Sequence, residues 1–251
     1  MLLEVENVSK SFGGLQAVRN ATFEVPEAQV TGLVGPNGAG KTTLFNMISG
    51  TIRADAGSIR YRDQDITGLT PQARIGRGIA RSFQDVRLLP RLTVLDNVVV
   101  GVQGQPGERL RTVFTRPWRA VGSEKESLRR AAECLDYVGM PTSIHHELAG
   151  SLSYGEQKLV SIARLLATGA DLLLLDEPTS GLDEGSLDEF RAVLRRLIAE
   201  GRTVLLVEHN MLLVRELCDR AVFLSTGEVL AVDAPDRLME NEELRNVYFG
   251  A

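Results

Sequence analysis

The sequence predicts an α/β fold built around a largely parallel sheet, and three observations predict it. Short apolar runs at 30–34, 171–176 and 203–208 have the makeup of strands buried on both faces. Between them lie stretches with helical spacing, such as Leu187, Phe190, Leu194 and Leu197. Buried strands that alternate with helices need crossover connections, and these give a parallel sheet.

Taken in order, the first thirty residues alternate apolar and polar. Leu3, Val5 and Val8 form one set, and Ala21, Phe23 and Val25 another. A period of two marks half-buried strands, so an antiparallel β-subdomain is expected at the N-terminus. Strand 30–34 follows, then a Gly-rich turn and a helix through Leu44, Met47 and Ile48. Segments 58–61 and 79–83 read as short strands. From 93 the pattern turns helical, opening on Thr93-Val94-Leu95-Asp96, whose side chains suit the first turn of a helix. Gly, Pro and Arg break the run over 104–118, where a loop or insertion is expected; 123–138 resumes it. After 169 strand and helix alternate again, and 221–225 and 228–232 meet at Thr226-Gly227 as a hairpin. The expected layout is one domain over 1–251. Its core is 1–92 with 169–235, mixed in strand direction. A helical subdomain, 93–168, is inserted, and a helical tail covers 236–251.

A net charge of −5 over 251 residues offers no polyanion-binding surface, so nucleic acid is not an expected partner. With 43% hydrophobic and 24% charged residues, the chain reads as folded rather than disordered. No run approaches the roughly 20 apolar residues that a spanning helix needs. Glu4 and Glu6 stand where a signal peptide is basic, so a cytoplasmic location is expected. Cys134 and Cys218 show no disulfide or metal spacing. His145 and His146 read as surface loop residues, and Trp118 has no assigned role.

Gly35-Pro36-Asn37-Gly38-Ala39-Gly40-Lys41-Thr42 fits the phosphate-loop pattern G-x-x-x-x-G-K-[ST] throughout. Glycines let successive amide N–H groups turn inward onto phosphate oxygens, and the helix that follows adds unpaired donors and a positive partial charge. Lys41 is expected to reach the β- and γ-phosphates, Thr42 to ligate Mg²⁺, and Thr43 to add a phosphate contact. The apolar strand that ends in Asp176-Glu177 places two carboxylates at a strand tip, where they need a cation or donors. Asp176 suits Mg²⁺, directly or through water, and Glu177 suits the polarisation of a water that attacks the γ-phosphate. Together these define a P-loop nucleotidase core.

Further motifs narrow the class. Leu152-Ser153-Tyr154-Gly155-Glu156-Gln157, ahead of Asp176, is similar to the signature motif of ATP-binding cassette (ABC) proteins. Ser180-Gly181-Leu182-Asp183 resembles their D-loop, Gln84 after Ser82-Phe83 their Q-loop glutamine, and His209 their switch histidine. Phe12 resembles the aromatic that stacks on adenine. The resemblance runs along nearly the whole chain. It implies ATP and Mg²⁺ as cofactors. Glu177, His209 and Gln84 would be catalytic, with Thr42, Gln84 and Asp176 at the metal. Phe12, Gly35, Asn37, Gly38, Ala39, Gly40, Lys41, Thr42, Thr43, Ser153, Gly155 and Glu156 would hold the nucleotide. Tyr154 and Glu156 depart from the usual glycine and glutamine of the signature, and Pro26-Glu27-Ala28 departs from the usual Pro-Gly-Glu-like turn.

In that family the signature of one subunit completes the site of another. One phosphate loop and one signature therefore imply a second cassette, identical or related, with Asp183 near their interface. The resemblance also implies transmembrane permease subunits, indirectly a periplasmic substrate-binding protein, and a peripheral place on the inner face of the cell membrane. Val86, Leu88, Leu89 and Pro90 either form an exposed coupling groove or pack within the helical subdomain. Ser11-Phe12-Gly13-Gly14-Leu15-Gln16-Ala17, Gly78-Ile79-Ala80-Arg81-Ser82-Phe83-Gln84 and the stretch 101–118 resemble the ATPase subunit of branched-chain amino acid importers. A urea or amide importer is the near alternative. The tail, 244–250, resembles the tail helix shared by the branched-chain importer group and the lipopolysaccharide-exporting cassettes, and an exporter of that kind is a further alternative. Soluble ABC ATPases of DNA repair, chromosome organisation or translation would carry a coiled-coil insertion or a second cassette, and the sequence has neither.

Overall fold

The computed structural model describes residues 1–82, 85–103 and 117–249. In chain order the elements are β1 (Leu3–Phe12), β2 (Leu15–Val25), β3 (Val30–Val34), α1 (Lys41–Ile48), β4 (Ala56–Tyr61), β5 (Gln64–Asp65), α2 (Pro71–Ile75) and β6 (Ile79–Arg81). Then come α3 (Val94–Val99), α4 (Pro117–Tyr137), α5 (Tyr154–Ala167), β7 (Leu172–Asp176), α6 (Glu184–Ala199) and β8 (Thr203–Val207). The chain closes with α7 (Met211–Leu217), β9 (Arg220–Ser225), β10 (Glu228–Asp233), α8 (Pro235–Glu240) and α9 (Glu242–Phe249). They divide into two compact units: 1–81 with 171–178 and 194–251, and 82–170 with 179–193.

The first unit holds both sheets. The N-terminal alternation becomes an antiparallel sheet in the order β2-β1-β4-β5. Its buried residues are cross-strand partners, Leu3 with Val25, Val5 with Phe23 and Val8 with Ala21, so one face packs on the core. The second sheet runs β10-β9-β3-β8-β7-β6 and is mixed. β3, β6, β7, β8 and β9 are parallel, and only β10 turns back, antiparallel to β9. All residues of β3, β7 and β8 are buried, as their unbroken apolar runs require. Register sets the ends of these strands level: Leu33 and Asp176 both pair with Val207. Residues that leave β3, β7 and β8 at their carboxyl ends therefore emerge along one edge, where open α/β sheets place their ligands.

Two local details differ from, or sharpen, the sequence expectation. The 26–28 turn is made with Ala28 at φ 57°, a left-handed conformation that glycine adopts more cheaply, and its N–H donates to Thr203 Oγ1 at 2.9 Å. The strand expected over 79–83 is seen as β6, Ile79–Arg81; Phe83 and Gln84 lie outside the described residues.

Arg74, in the short helix α2, is 1% exposed. Its guanidinium has no carboxylate partner in the described bonds; it spends all five donors on carbonyls. Nη1 meets Met47 O and Ile48 O at the end of α1, Nη2 meets Ile66 O and Thr67 O, and Nε meets Leu69 O. Helix carbonyls left without an intrahelical partner are thus satisfied by a cation placed where the helix dipole favours one. Burial pulls Arg74 down to about 10, which still leaves it a cation near neutral pH.

In the second unit α3, α4 and α5 bury Val94, Val98, Ala131, Leu135, Leu159, Val160 and Ala163. Thr93 caps α3 through Asp96 N, as its sequence indicates. The helix expected over 123–138 begins earlier, at Pro117. The residues 104–116 of the expected insertion lie outside the described residues. Asn97, fully buried, accepts from Leu89 N at 2.7 Å and donates to Leu89 O at 3.0 Å and Thr93 O at 2.9 Å. It fixes the segment before α3 with Leu89 and Leu92 exposed, whereas Val86 and Leu88 are half-buried. His145 is not a surface residue: it is 3% exposed, with Nε2 at 3.3 Å from Met140 O, because the tight turn over Thr142–Ile144 folds its ring into this unit. His146 is exposed, and both cysteines are free thiols.

Removing the Arg74 fork should leave several buried carbonyls without donors. Arg74→Met is expected to lower stability in urea denaturation by about 3 kcal/mol or more. Arg74→Lys, with three donors for five carbonyls, should recover only part of that loss.

Candidate functional site

The turn from β3 into α1 is shaped by backbone contact. Gly35 has φ 145°, and a Cβ there would lie 1.9 Å from the Leu224 carbonyl oxygen. Gly40 has φ 99°, and its Cβ would meet Ala17 O at 2.3 Å. Any side chain at either position would push the loop off the β9–β10 hairpin or off β2. Between them Asn37 and Gly38 stand exposed at the crest, while Ala39 is buried.

α1 starts without a cap. Thr70, Thr93, Ser153 and Asn210 cap α2, α3, α5 and α7 through side-chain oxygens; Gly40, at the same position of α1, has none to offer. Nor does the first turn of α1 carry an acidic residue. The amide donors and the dipole of this end are left for an anion. Lys41 is 5% exposed, and its Nζ turns back to donate to Gly35 O at 2.7 Å and Pro36 O at 2.9 Å. Burial holds its ammonium below the usual 10.5, and the Glu177 carboxylate draws it part of the way back.

One pocket gathers most of the predicted residues of the first unit. Asn37, Gly38, Ala39, Gly40, Lys41, Thr42 and Thr43 line it together with Glu177 and His209. Gln16, Arg19 and Thr226 also line it. None of these three is a site candidate from sequence: their approach depends on β2 lying beside the β9–β10 hairpin, and Arg19 N–H donates to Gly227 O at 2.7 Å across that junction. Phe12 lies outside the pocket lining. Its ring is 46% exposed and carries Lys10 Nζ at 5.4 Å from its centre.

Glu177 leaves β7 with φ 44°, a left-handed conformation uncommon for a side chain of this kind, and its N–H donates to Val207 O at 2.9 Å. Its Oε1 meets His209 Nε2. Asp176, one residue earlier and 5% exposed, is paired through Oδ2 with Arg81 Nη2 at 2.7 Å. Arg81 is itself held by Asn46 Oδ1 and Ser49 Oγ and lies over the Phe45 ring at 4.8 Å. Arg81 is not a site candidate from sequence. Gln84 is outside the described residues.

The signature residues belong to the second unit. Ser153 caps α5 in a reciprocal box: Glu156 N–H reaches Ser153 Oγ at 3.3 Å, and Glu156 Oε2 accepts from Ser153 N–H at 2.8 Å and from its hydroxyl at 2.7 Å. Glutamate in place of the usual glutamine thus serves the helix start. A Cβ on Gly155 would lie 2.2 Å from Ser186 Oγ. Asp183 accepts from Ser186 N–H at 2.9 Å and from its hydroxyl at 3.1 Å, and these bonds hold it below the usual carboxylate range. Its position before α6 makes it the cap of that helix.

A glycine loop, an uncapped helix start, a buried lysine and a strand-end carboxylate pair on a parallel sheet define a P-loop nucleotide-binding ATPase. The ABC transporter family matches residues 18–180. The high-affinity branched-chain amino acid transport ATP-binding protein BraF of Pseudomonas aeruginosa is 35% identical over 250 residues, covering 99% of this chain and 98% of that one. A crystal structure of the ADP conformation of an ATP-binding cassette of an ABC transporter superposes with a TM-score of 0.85 at 30% identity, covering 100% of this chain and 99% of that one. A dimeric post-hydrolysis cassette bound to ADP and Pi gives 0.75 at 28% identity, covering 93% and 99%. The chain belongs to the ABC transporter ATP-binding family, and the activity is ATP hydrolysis.

Gly35→Ala should not be tolerated. With a carbonyl oxygen 1.9 Å from the new Cβ, the variant is expected to lose most soluble yield or melt at a lower temperature, while Gly68→Ala, with open space around it and no positive φ, should express normally. Parallel expression and thermal melting of the two variants check this.

Proposed function

We propose that the chain is the ATP-binding and ATP-hydrolysing subunit that energises an importer of branched-chain or related amino acids. The full-length match to the Pseudomonas importer subunit carries this reading. In it, two cassettes close on ATP, with Lys41 of one and Ser153 of the other on the same nucleotide, and part after hydrolysis. Likeness to a dimeric cassette supports the pairing. For its hydroxyl to meet phosphate, Ser153 has to exchange its bond to Glu156.

Within each cassette the loop amides of 37–43 and Lys41 hold the phosphates, Phe12 stacks on the adenine, and Glu177 orients the attacking water with His209 bonded to its carboxylate. Thr42, Asp176 and Gln84 would hold Mg²⁺; the hydroxyl and the carboxylate are hard oxygen donors of the kind that ion takes alongside phosphate. When bound, Mg²⁺ supplies charge neutralisation at the β- and γ-oxygens. Among the described residues no helix is long and apolar enough to cross a membrane. Permease subunits would hold the chain on the inner membrane face, and exposed Leu89 and Leu92 beside Pro90 suit the coupling contact. We read 93–168 as the helical subdomain and 236–251 as the tail.

Three variants separate the roles. Lys41→Ala should weaken nucleotide binding by about 10- to 100-fold, as expected for the loss of a charge-assisted bond. In the wild type, affinity should fall on the alkaline side at a pH below 10.5, because the loop holds the Lys41 proton less firmly than water does. Glu177→Gln should bind ATP normally and hydrolyse it about 100-fold more slowly or worse. Ser153→Ala should leave binding to the monomer intact and slow hydrolysis; Gly155 is the poorer probe, since a side chain there strikes Ser186. Titration calorimetry and phosphate release measure both quantities. Equal loss of monomer binding in Ser153→Ala and Lys41→Ala would rule out a site completed by a second cassette.

A further inference from the structure

β8 ends at Val207, and the next two residues carry the switch before α7 begins. Glu208 is 4% exposed, and its Oε2 accepts from the His209 N–H at 3.2 Å. Asn210 caps α7 through Leu212 N–H at 2.9 Å. His209 therefore sits one residue ahead of the cap, where its carbonyl lies outside the ladder of α7. That carbonyl accepts a hydrogen bond from the Tyr248 hydroxyl, 39 residues later, on the last helix.

Tyr248 is well placed for this. Its ring packs on Phe223 of β9, with centroids 6.1 Å apart and planes tilted by 56°. Met211, Phe223, Leu238 and Leu244 share a small cavity with it, so α9 is docked by apolar contact and the hydroxyl reaches the loop. Burial raises the Tyr248 phenol above its usual 10, and Glu208 adds to that, so the hydroxyl keeps its proton and stays a donor. The His209 backbone is thus gripped at its N–H by Glu208 and at its C=O by Tyr248, while its ring meets Glu177.

We propose that Tyr248 is a positioning residue for ATP hydrolysis, fixing the His209 backbone from the tail helix so that the imidazole stays aimed at Glu177. This rests on the reading of His209 and Glu177 given under Proposed function. Tyr248→Phe tests it in the full chain, since it keeps the ring on Phe223 and removes only the donor. The expected result is a kcat lower by about 3- to 10-fold, the range that loss of one hydrogen bond spans. KM for ATP and the melting temperature should stay close to wild type. The chain has three histidines, so imidazole NMR signals are few. Those of His209 should shift in Tyr248→Phe, and those of His145 and His146 should not. In a His209→Ala background, Tyr248→Phe should have no further effect.

A wild-type kcat with unmoved His209 signals in Tyr248→Phe, while His209→Ala is slow, would overturn the role of Tyr248 and leave the site reading intact. Wild-type hydrolysis by His209→Ala would remove the site reading and this proposal with it. An equal loss from Tyr248→Phe with and without His209 would show that the tyrosine acts elsewhere, and would also overturn it.

Discussion

The nucleotide loop depends on backbone meeting backbone with no side chain between. Gly35 lies against the Leu224 carbonyl and Gly40 against that of Ala17, and Gly227 N–H donates to Ala39 O at 2.9 Å. Three pieces of chain distant in sequence, the end of β3, the start of β2 and the β9–β10 turn, therefore meet at one junction. Fixing them there aims the loop amides and the start of α1 into the pocket. The antiparallel sheet and the C-terminal hairpin are, in this sense, the supports of the loop.

A second constraint acts at the other end of α1. Arg74 closes the helix by binding its last carbonyls, so the helix that begins uncapped at Gly40 ends on a buried cation. A helix of eight residues has little stability of its own, and its position must come from such tertiary contacts. The charge pair between Arg81 and Asp176 does similar work on the neighbouring strand end, tying β6 to the tip of β7.

Much of this was legible in the sequence, for a physical reason. The phosphate loop, the Asp176-Glu177 pair and the cap of α3 are each made by residues a few positions apart, so their chemistry shows in a short window. The strands of the parallel sheet showed in their unbroken apolar runs, and β1 and β2 in their alternation. What stayed hidden depends on contacts far along the chain. Nothing near Arg74 says that five carbonyls from two segments converge on it, and nothing near Tyr248 points to residue 209. His145 read as surface because polar residues surround it, yet a single tight turn suffices to bury its ring. Asp183 fits a family motif and also caps α6, two uses that one residue type serves without any mark in the sequence.

The missing cap of α1 has a consequence for the protein as a folded object. At α2, α3, α5 and α7 a serine, threonine or asparagine completes the helix start; at α1 the open amides await a group from outside. A bound phosphate then counts among the chain's own structural parts, and folding and nucleotide concentration become linked quantities. At a ligand level about 100 times Kd, that linkage is worth roughly 2.7 kcal/mol, a sizeable share of an ordinary domain's stability. A cell that runs short of nucleotide would slow this ATPase and also loosen it, so that its persistence as an intact protein follows the energy supply it consumes.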